Sequence, residues 1–450
     1  MIKKRSISIL IISIIIVVVS GAGILTFVVP KYIMPASFNA KGMSLYKSMK
    51  YEEAIINFDK AIKLNSNYSA SYNNKGLALD KLKKYDDAIL CFDIAIKIKP
   101  DKVKFSNKGL TLYYSGKYDE AISCFDAAIK LDSKYSIAYN NKGLALDSLE
   151  KYEEALDCFD TAIQLDPNKV RYNNKGLALY HLGKCDEALS CFDAAIKLDS
   201  KYCSAYDSKG LALYKLKKYD EAISCFDTAI KSDSKYSLAY DGKGLCLDKL
   251  GKHDEAINCF DTAIQIKPDN VTYTDKGLVL YNLGKYDESI NCFDTAIKLD
   301  SKYSTTYNNK GLALVELGKY DEASDCFDTA IQIKPDSIEY TNKGVALYHL
   351  GKYEEAIGYF DNSIKLNPTD YITYNYKGLS LDKLGKYEDG LNCYEKIISI
   401  DPNNYIAYYN KAMALYYMHK YDDAKNALEQ CLKINSKYDN AKTLLDKLNK

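Results

Sequence analysis

The chain repeats itself every 33 or 34 residues, and that period constrains its fold more than any other feature. The octapeptide YNNKGLAL begins at Tyr72, Tyr139, Tyr172 and Tyr307, with near-copies such as YDSKGLAL from Tyr206 between them. With the glycine of each Lys-Gly pair as a marker, the register runs Gly42, Gly76, Gly109, Gly143, Gly176, Gly210, Gly244, Gly277, Gly311, Gly344 and Gly378, and Ala412 takes the twelfth place. A length of 450 residues would otherwise suggest several globular domains. A period in this range points instead to stacked copies of one supersecondary unit, none of which can bury its apolar face alone. Twelve units fill residues 36–436, and residues 437–450 remain as a final segment.

Within one unit the apolar pattern has helical spacing twice. Tyr72, Gly76 and Leu79 fall at i, i+4 and i+7, and Ala88, Phe92, Ala95 and Ile96 at i, i+4, i+7 and i+8. Between them stands KLKKYDD, or LGKYDE as at Leu283 to Glu288, where glycine suits the end of one helix and the acids suit the first turn of the next. Each unit is therefore expected to be a helical hairpin. Pro100, Pro167, Pro268 and Pro335 stand in links one residue shorter than DSKYS, which accounts for the 33-residue spacings. Gly76 and Ala88 remove bulk where the two helices cross, and Tyr72 and Phe92 fill the space around that contact. The final segment is apolar at Ala441, Leu444, Leu445 and Leu448 and otherwise polar, as a capping helix of a stack should be.

These residues resemble the tetratricopeptide repeat family, whose 34-residue pattern runs aromatic, Leu-Gly, Tyr, Ala, aromatic, Ala and Pro. One copy here reads Tyr240, Gly244, Leu247, Ala256, Phe260, Ala263 and Pro268. Tyr or Phe stands where the family often has Trp, Lys replaces the Leu before the glycine, and Leu replaces the Tyr after it. The resemblance implies an all-α fold, an α-solenoid of helical hairpins wound into a right-handed superhelix, with a concave groove lined by the first helices. It implies a non-catalytic scaffold that binds a protein or extended peptide in that groove. A chaperone carboxylate clamp is not expected, because the position after the marker holds Met43, Leu77, Leu110, Leu144, Leu177, Leu211 and further aliphatics where such a clamp carries Asn.

Two rows of first-helix residues are candidates for contact with the partner. Asn74, Asn107, Asn141, Asn174, Asn309, Asn342 and Asn410 stand two places before the marker. A carboxamide donates and accepts, so a stacked row would match a peptide backbone, similar to the asparagine ladder of O-linked N-acetylglucosamine transferases. Alternatively each Asn begins or caps the first helix. Tyr113, Tyr180, Tyr214, Tyr281 and Tyr348, with Tyr416, stand four places after the marker and alternate with Asp80, Asp147, Asp248 and Asp382. They offer large contact area at low entropic cost, or form an ordinary solvated face.

Lys precedes the marker in all twelve copies, from Lys41 to Lys411, and an acid follows the second-helix aromatic position, from Asp59 to Glu429. The two rows either pair between neighbouring units or, the reading favoured from sequence, keep the helix surface soluble with some local pairing. Nine cysteines share the position before that aromatic: Cys91, Cys124, Cys158, Cys191, Cys225, Cys259, Cys292, Cys326 and Cys393. Stacked hairpins hold equivalent atoms roughly 10 Å apart, beyond disulfide reach, so these read as small buried packing residues. No enzyme signature, metal-ligand spacing or phosphate loop occurs, so no catalysis, cofactor or metal is expected. Lys and Arg number 61 against 60 Asp and Glu, which gives nucleic acid no field to follow.

The N-terminus differs in kind. After a short basic stretch, residues 1–6 with Lys3, Lys4 and Arg5, an almost uncharged apolar run covers residues 7–29, long enough to cross a hydrocarbon core of about 30 Å. It reads as a single transmembrane anchor followed by a link at residues 30–35. A signal peptide cleaved after Ala22 and a buried core helix are the other readings. The denser charge before the run than after it favours a cytoplasmic N-terminus and an extracytoplasmic repeat region. The expectation is a single-pass membrane protein whose repeats gather a protein partner at the bilayer. The rival is a structural, self-associating spacer.

Overall fold

A computed structural model describes residues 33–449, all helical or in short turns and links. Twenty-five helices follow one another, from α1 (Ile33–Lys47) and α2 (Tyr51–Leu64) to α25 (Asp439–Leu448). Odd-numbered helices up to α23 (Tyr405–Tyr417) are the first helices of hairpins, and the even-numbered ones are their partners. The chain divides into two compact units, Met1–Ser232 and Asp233–Lys450, the first holding the hairpins α1 to α12 (Tyr219–Ser232) and the second those from α13 (Ser237–Lys249) onward. Among the described residues no helix is long and apolar enough to cross a membrane. The anchor expected at residues 7–29 lies outside them. α1 starts at Ile33, so Pro35, expected in the link, sits in a helical first turn, where the missing amide hydrogen costs no helical bond.

Each hairpin is built around one aromatic. In α8 (Tyr152–Leu165), Ala155, Cys158, Phe159 and Ala162 are buried; Phe159 packs against Gly143 and Leu146 of α7 (Ser136–Ser148) and against Ala178 of the next hairpin, while Ala145 of α7 packs in the cluster of Phe125 before it. The marker glycine is where the ring approaches. A Cβ at Gly143 would stand 2.7 Å from Phe159 Cε1, and at Gly176 and Gly344 the same clash falls to 2.4 Å. Glycine is therefore required at the marker by its neighbour's ring and not by backbone conformation. The reverse holds in the turn between the two helices, where Gly183 adopts φ +80° with nothing near its missing Cβ, and Lys83, Glu150 and Lys217 take the same left-handed conformation at a steric cost.

The two kinds of link differ in how they start the next helix. In the shorter ones Asp101, Asn168, Asp269 and Asp336 cap the first helix with their own side chains, Asp101 Oδ1 accepting from Val103 N at 2.9 Å. In the longer ones the Asp or Asn that ends the previous helix accepts from the backbone two residues on, as Asp132 Oδ1 does from Lys134 N at 3.0 Å and Asn65 Oδ1 from Asn67 N at 3.0 Å, and after Pro368 and Pro402 the side chains of Asp370 and Asn404 cap the next helix as well. Both satisfy amides that would otherwise lack a partner.

Neighbouring hairpins are tied by a row of ion pairs that the sequence reading had set second to simple solubility. Lys75 Nζ meets Asp59 Oδ1 of the preceding hairpin at 2.7 Å, and the pattern returns at Lys108–Asp93 (2.6 Å), Lys142–Asp126 (2.7 Å), Lys209–Asp193 (2.6 Å), Lys310–Asp294 (2.6 Å) and Lys411–Glu395 (2.7 Å). Burial draws the Lys75 ammonium down, and the hydrogen bond and charge of Asp59 more than reverse that. Such half-exposed pairs contribute about 0.2–1 kcal/mol each, so the row sets register between hairpins more than it adds stability.

The cysteine row is less buried than expected. Cys91, Cys124, Cys158 and Cys393 are buried, but Cys191, Cys225, Cys292 and Cys326 are only half-buried, under the lysines of the ion-pair row. Burial pushes their thiols up, to about 11 at Cys326 and Cys393, and to about 12 at the fully buried Cys246. Native-state labelling of these three at pH 8 with an aromatic disulfide reagent should run at least about tenfold slower than in denaturant, because little thiolate is present. Equal rates would remove the burial assignment.

Candidate functional site: the exposed face of the first helices

In each compact unit the first helices of successive hairpins touch one another, while the second helices stand farther apart. Each stack therefore bends with its first helices on the inner side. On α7 the residues left facing outward there are Ile137, Asn140, Asn141, Leu144 and Ser148, at the spacing of one helical face.

The predicted asparagines come together as rungs, with a second Asn row as their partner. Asn74 Nδ2 donates to Asn39 Oδ1 at 3.0 Å, Asn107 to Asn73 at 3.0 Å, Asn174 to Asn140 at 3.0 Å, Asn342 to Asn308 at 2.8 Å and Asn410 to Asn375 at 2.9 Å. In every rung the donor stands two places before its marker and the acceptor three places before the marker of the preceding hairpin. Asn73 and Asn140 also donate to their own neighbours Asn74 and Asn141, at 3.2 and 3.1 Å. Asn309 is half-buried and forms no such rung, since the facing residue is Thr274, which bonds Thr306 at 2.7 Å. The alternative reading of these residues as helix starts does not hold, because Asn74 is the sixth residue of α3 (Ser69–Lys81). Each carboxamide keeps a second hydrogen or lone pair for another molecule.

The tyrosines lean on their own hairpins. Tyr113 packs on Tyr118 with ring centroids 5.5 Å apart, Tyr214 on Tyr219 at 5.6 Å, Tyr281 on Tyr286 at 5.5 Å and Tyr348 on Tyr353 at 5.6 Å. Tyr180 lies beside His181 at 5.7 Å and under Lys215 Nζ at 4.6 Å. All are half-buried, and some hydroxyls are already engaged within the stack, Tyr113 Oη accepting from Ser148 Oγ at 3.4 Å and Tyr281 bonding Glu316.

Sequence reasoning missed a third row. Val103, Ile137, Val170, Leu238, Val271, Ile338, Ile372 and Ile406 stand six places before the marker, and each is exposed, Ile338 to 61%. They flank the amide rungs. A hollow of about 240 Å³ is lined by Ile137, Asn140, Asn168, Lys169, Val170 and Arg171, and one of about 800 Å³ by Asn73, Asn74, Val103 and their neighbours. The signal was present as an aliphatic recurring at one register position, hidden because it falls in the first turn, where capping residues dominate the pattern.

Profiles of the tetratricopeptide repeat match residues 69–102, 136–169, 239–270, 304–337, 338–370 and 371–404, with related profiles over 35–68, 109–149, 171–202, 203–236, 277–318 and 393–426. The chain belongs to the tetratricopeptide repeat family. No curated protein matches the sequence. Among solved structures, YrrB, a tetratricopeptide repeat protein with an unusual peptide-binding site, is 23% identical, covers 41% of this chain and 96% of its own, and gives a TM-score of 0.37. The Cut9–Hcn1 hetero-tetramer of the APC/C is 12% identical over 92% of this chain and 96% of that one, with a TM-score of 0.46. MamA is 23% identical over 37% of this chain and 92% of its own, with a TM-score of 0.36.

Proposed function

We propose that this tetratricopeptide repeat chain is a non-catalytic scaffold, held at a membrane by residues 7–29, whose repeats bind a protein partner or extended peptide along the first-helix face. The observation that carries the reading is the row of exposed aliphatics beside the amide rungs. Exposed aliphatics in register are costly to hydrate, and amides that keep a spare donor or acceptor suit a peptide backbone lying over them. In this reading the first-helix face of each compact unit forms a groove for the partner, the N-terminus lies in the cytoplasm, and the repeats lie outside it. The dense positive charge of Lys3, Lys4 and Arg5 supports that orientation.

The test is crosslinking and affinity capture from native membranes with the full chain and with an Ile137→Asp/Val170→Asp variant. Both side chains are already exposed, so helicity and melting should hold. A peptide or protein captured by the parent and lost at least about tenfold in the variant supports the groove, since a charge in an apolar contact forfeits more than about 1.4 kcal/mol. Capture of the chain by copies of itself alone, equally in both, would put the structural, self-associating reading first.

A further inference from the structure

At one joint of the second compact unit both rung places are held by acids. Between α13 and α15 (Asn270–Asn282), the acceptor place three before the marker holds Asp241 and the donor place two before the next marker holds Asp275. Where Asn308 and Asn342, or Asn375 and Asn410, share an N–H···O bond of 2.8 or 2.9 Å, this joint carries carboxyls at both places, near enough for the Asp241 charge to act on Asp275. Two carboxylates cannot reproduce that bond, since neither carries a hydrogen. A carboxylic acid and a carboxylate can.

We propose that Asp241 and Asp275 form a proton-held joint between the seventh and eighth repeats, closed while the two carboxyls share a proton and loosened when it is lost. This goes beyond the proposed binding role and does not depend on it.

The surroundings favour the shared proton. Asp241 Oδ1 is buried and accepts no hydrogen bond, while Thr272 donates to the same carboxyl. Burial raises the Asp275 carboxyl most, the Asp241 charge next, and Asp248 and the capping Asp269 add to it, with Lys249 opposing. Asp248 in turn accepts from His253 Nδ1 of α14 (His253–Ile266) at 3.0 Å, and Lys249 Nζ lies 3.4 Å from its other oxygen, so the nearby cation and imidazole are engaged there. The ladder place on the next first helix, α17 (Ser304–Glu316), holds the neutral Asn309. Asp241 is pushed up to about 6 and Asp275 to about 7. The joint of α14 on α15 is also less closely packed than the other hairpin-to-hairpin joints of its unit.

Both folded-state values lie above the ordinary aspartate range, so proton binding favours the closed joint. Its contribution is complete below about pH 4, where an exposed Asp also protonates, and falls as pH rises through about 6 to 7. Above that range the pair opposes closure.

The test is amide hydrogen exchange of the full chain at pH 5.5 and pH 8, corrected for intrinsic rates, followed over α13 and α15. Opening should become at least about tenfold more frequent at pH 8 in these two helices, and stay unchanged over α19 (Ser337–His349), whose ladder residue Asn342 is an amide. In the Asp241→Asn/Asp275→Asn variant, which rebuilds an amide rung, the pH dependence should vanish, with protection at pH 8 matching that at pH 5.5. A carbon-13 titration of aspartate carboxyls gives a second readout: Asp241, Asp275 and the separately buried Asp382 should titrate above pH 5.5 in the unsubstituted chain, and only Asp382 in the variant. Protection equal at both pH values, a variant as pH-dependent as the parent, or no titration above pH 5.5 that the variant removes would each overturn the proposal.

Discussion

Phe159→Ala is expected to destabilise the fourth repeat by about 3–5 kcal/mol, because the ring is fully buried at the crossing of two helices that cannot collapse into the cavity. Its counterpart Gly143→Ala should cost about 1–2 kcal/mol, the strain of a Cβ placed 2.7 Å from the ring exceeding the roughly 1 kcal/mol that Ala gains in a helix. The chain contains its own control. In the twelfth repeat the marker is Ala412, and the residue facing it is Leu428, both fully buried. Gly143→Ala combined with Phe159→Leu should therefore lose less than the sum of the two single changes, with a coupling of about 0.5–2 kcal/mol. Guanidinium unfolding and hydrogen exchange over α7 and α8 measure this, exchange being needed because stacked repeats open locally. Additive losses would mean that the marker glycine is set by something other than the ring.

The second large effect is expected in the eleventh repeat, where two positions depart together beside Asp382. Tyr394 replaces Phe, and its hydroxyl donates to Asp382 Oδ2 at 2.6 Å. Gly390 replaces the usual Ala, and a Cβ there would stand 2.4 Å from Asp382 Oδ1. The tyrosine hydroxyl draws the carboxyl of α21 (Tyr371–Lys383) inward over α22 (Tyr387–Ile400), and the missing methyl makes room for it. Burial pushes Asp382 up to about 6, the Tyr394 bond opposing. Gly390→Ala alone should destabilise this repeat by about 1–3 kcal/mol. Adding Tyr394→Phe restores the Ala and Phe of the other hairpins, releases Asp382 from the tyrosine hydroxyl, and should recover most of the loss in urea unfolding followed by exchange over α22. A double variant weaker than Gly390→Ala would refute the coupled account.

Much of the candidate site was legible because register is preserved from copy to copy. The asparagine row was visible as a row, but its partner was not. The acceptor Asn39, Asn73, Asn140, Asn308 and Asn375 stand one place earlier, and only the offset between stacked first helices brings the two rows within 3 Å of each other. The ion pairs were undervalued for the same reason. Lys75 and Asp59 are 16 residues apart and lie in different hairpins, so helical spacing within one unit never brings them together. The tyrosines recur at one register position, yet their contact with the aromatic that begins the second helix depends on the turn between them.

By itself the sequence determined that the chain is a stack of helical hairpins, how many there are, which aromatic centres each one and which link types join them. Period and composition suffice for this, because every unit must bury the same stripe against its neighbours. Only the tertiary structure decided which polar residues meet across a joint, and with it that amides bond amides at five joints while acids hold the corresponding places at a sixth. The physical reason is that a repeat fixes the chemistry of each position, whereas pairing between repeats depends on the small offset with which one helix lies on the next.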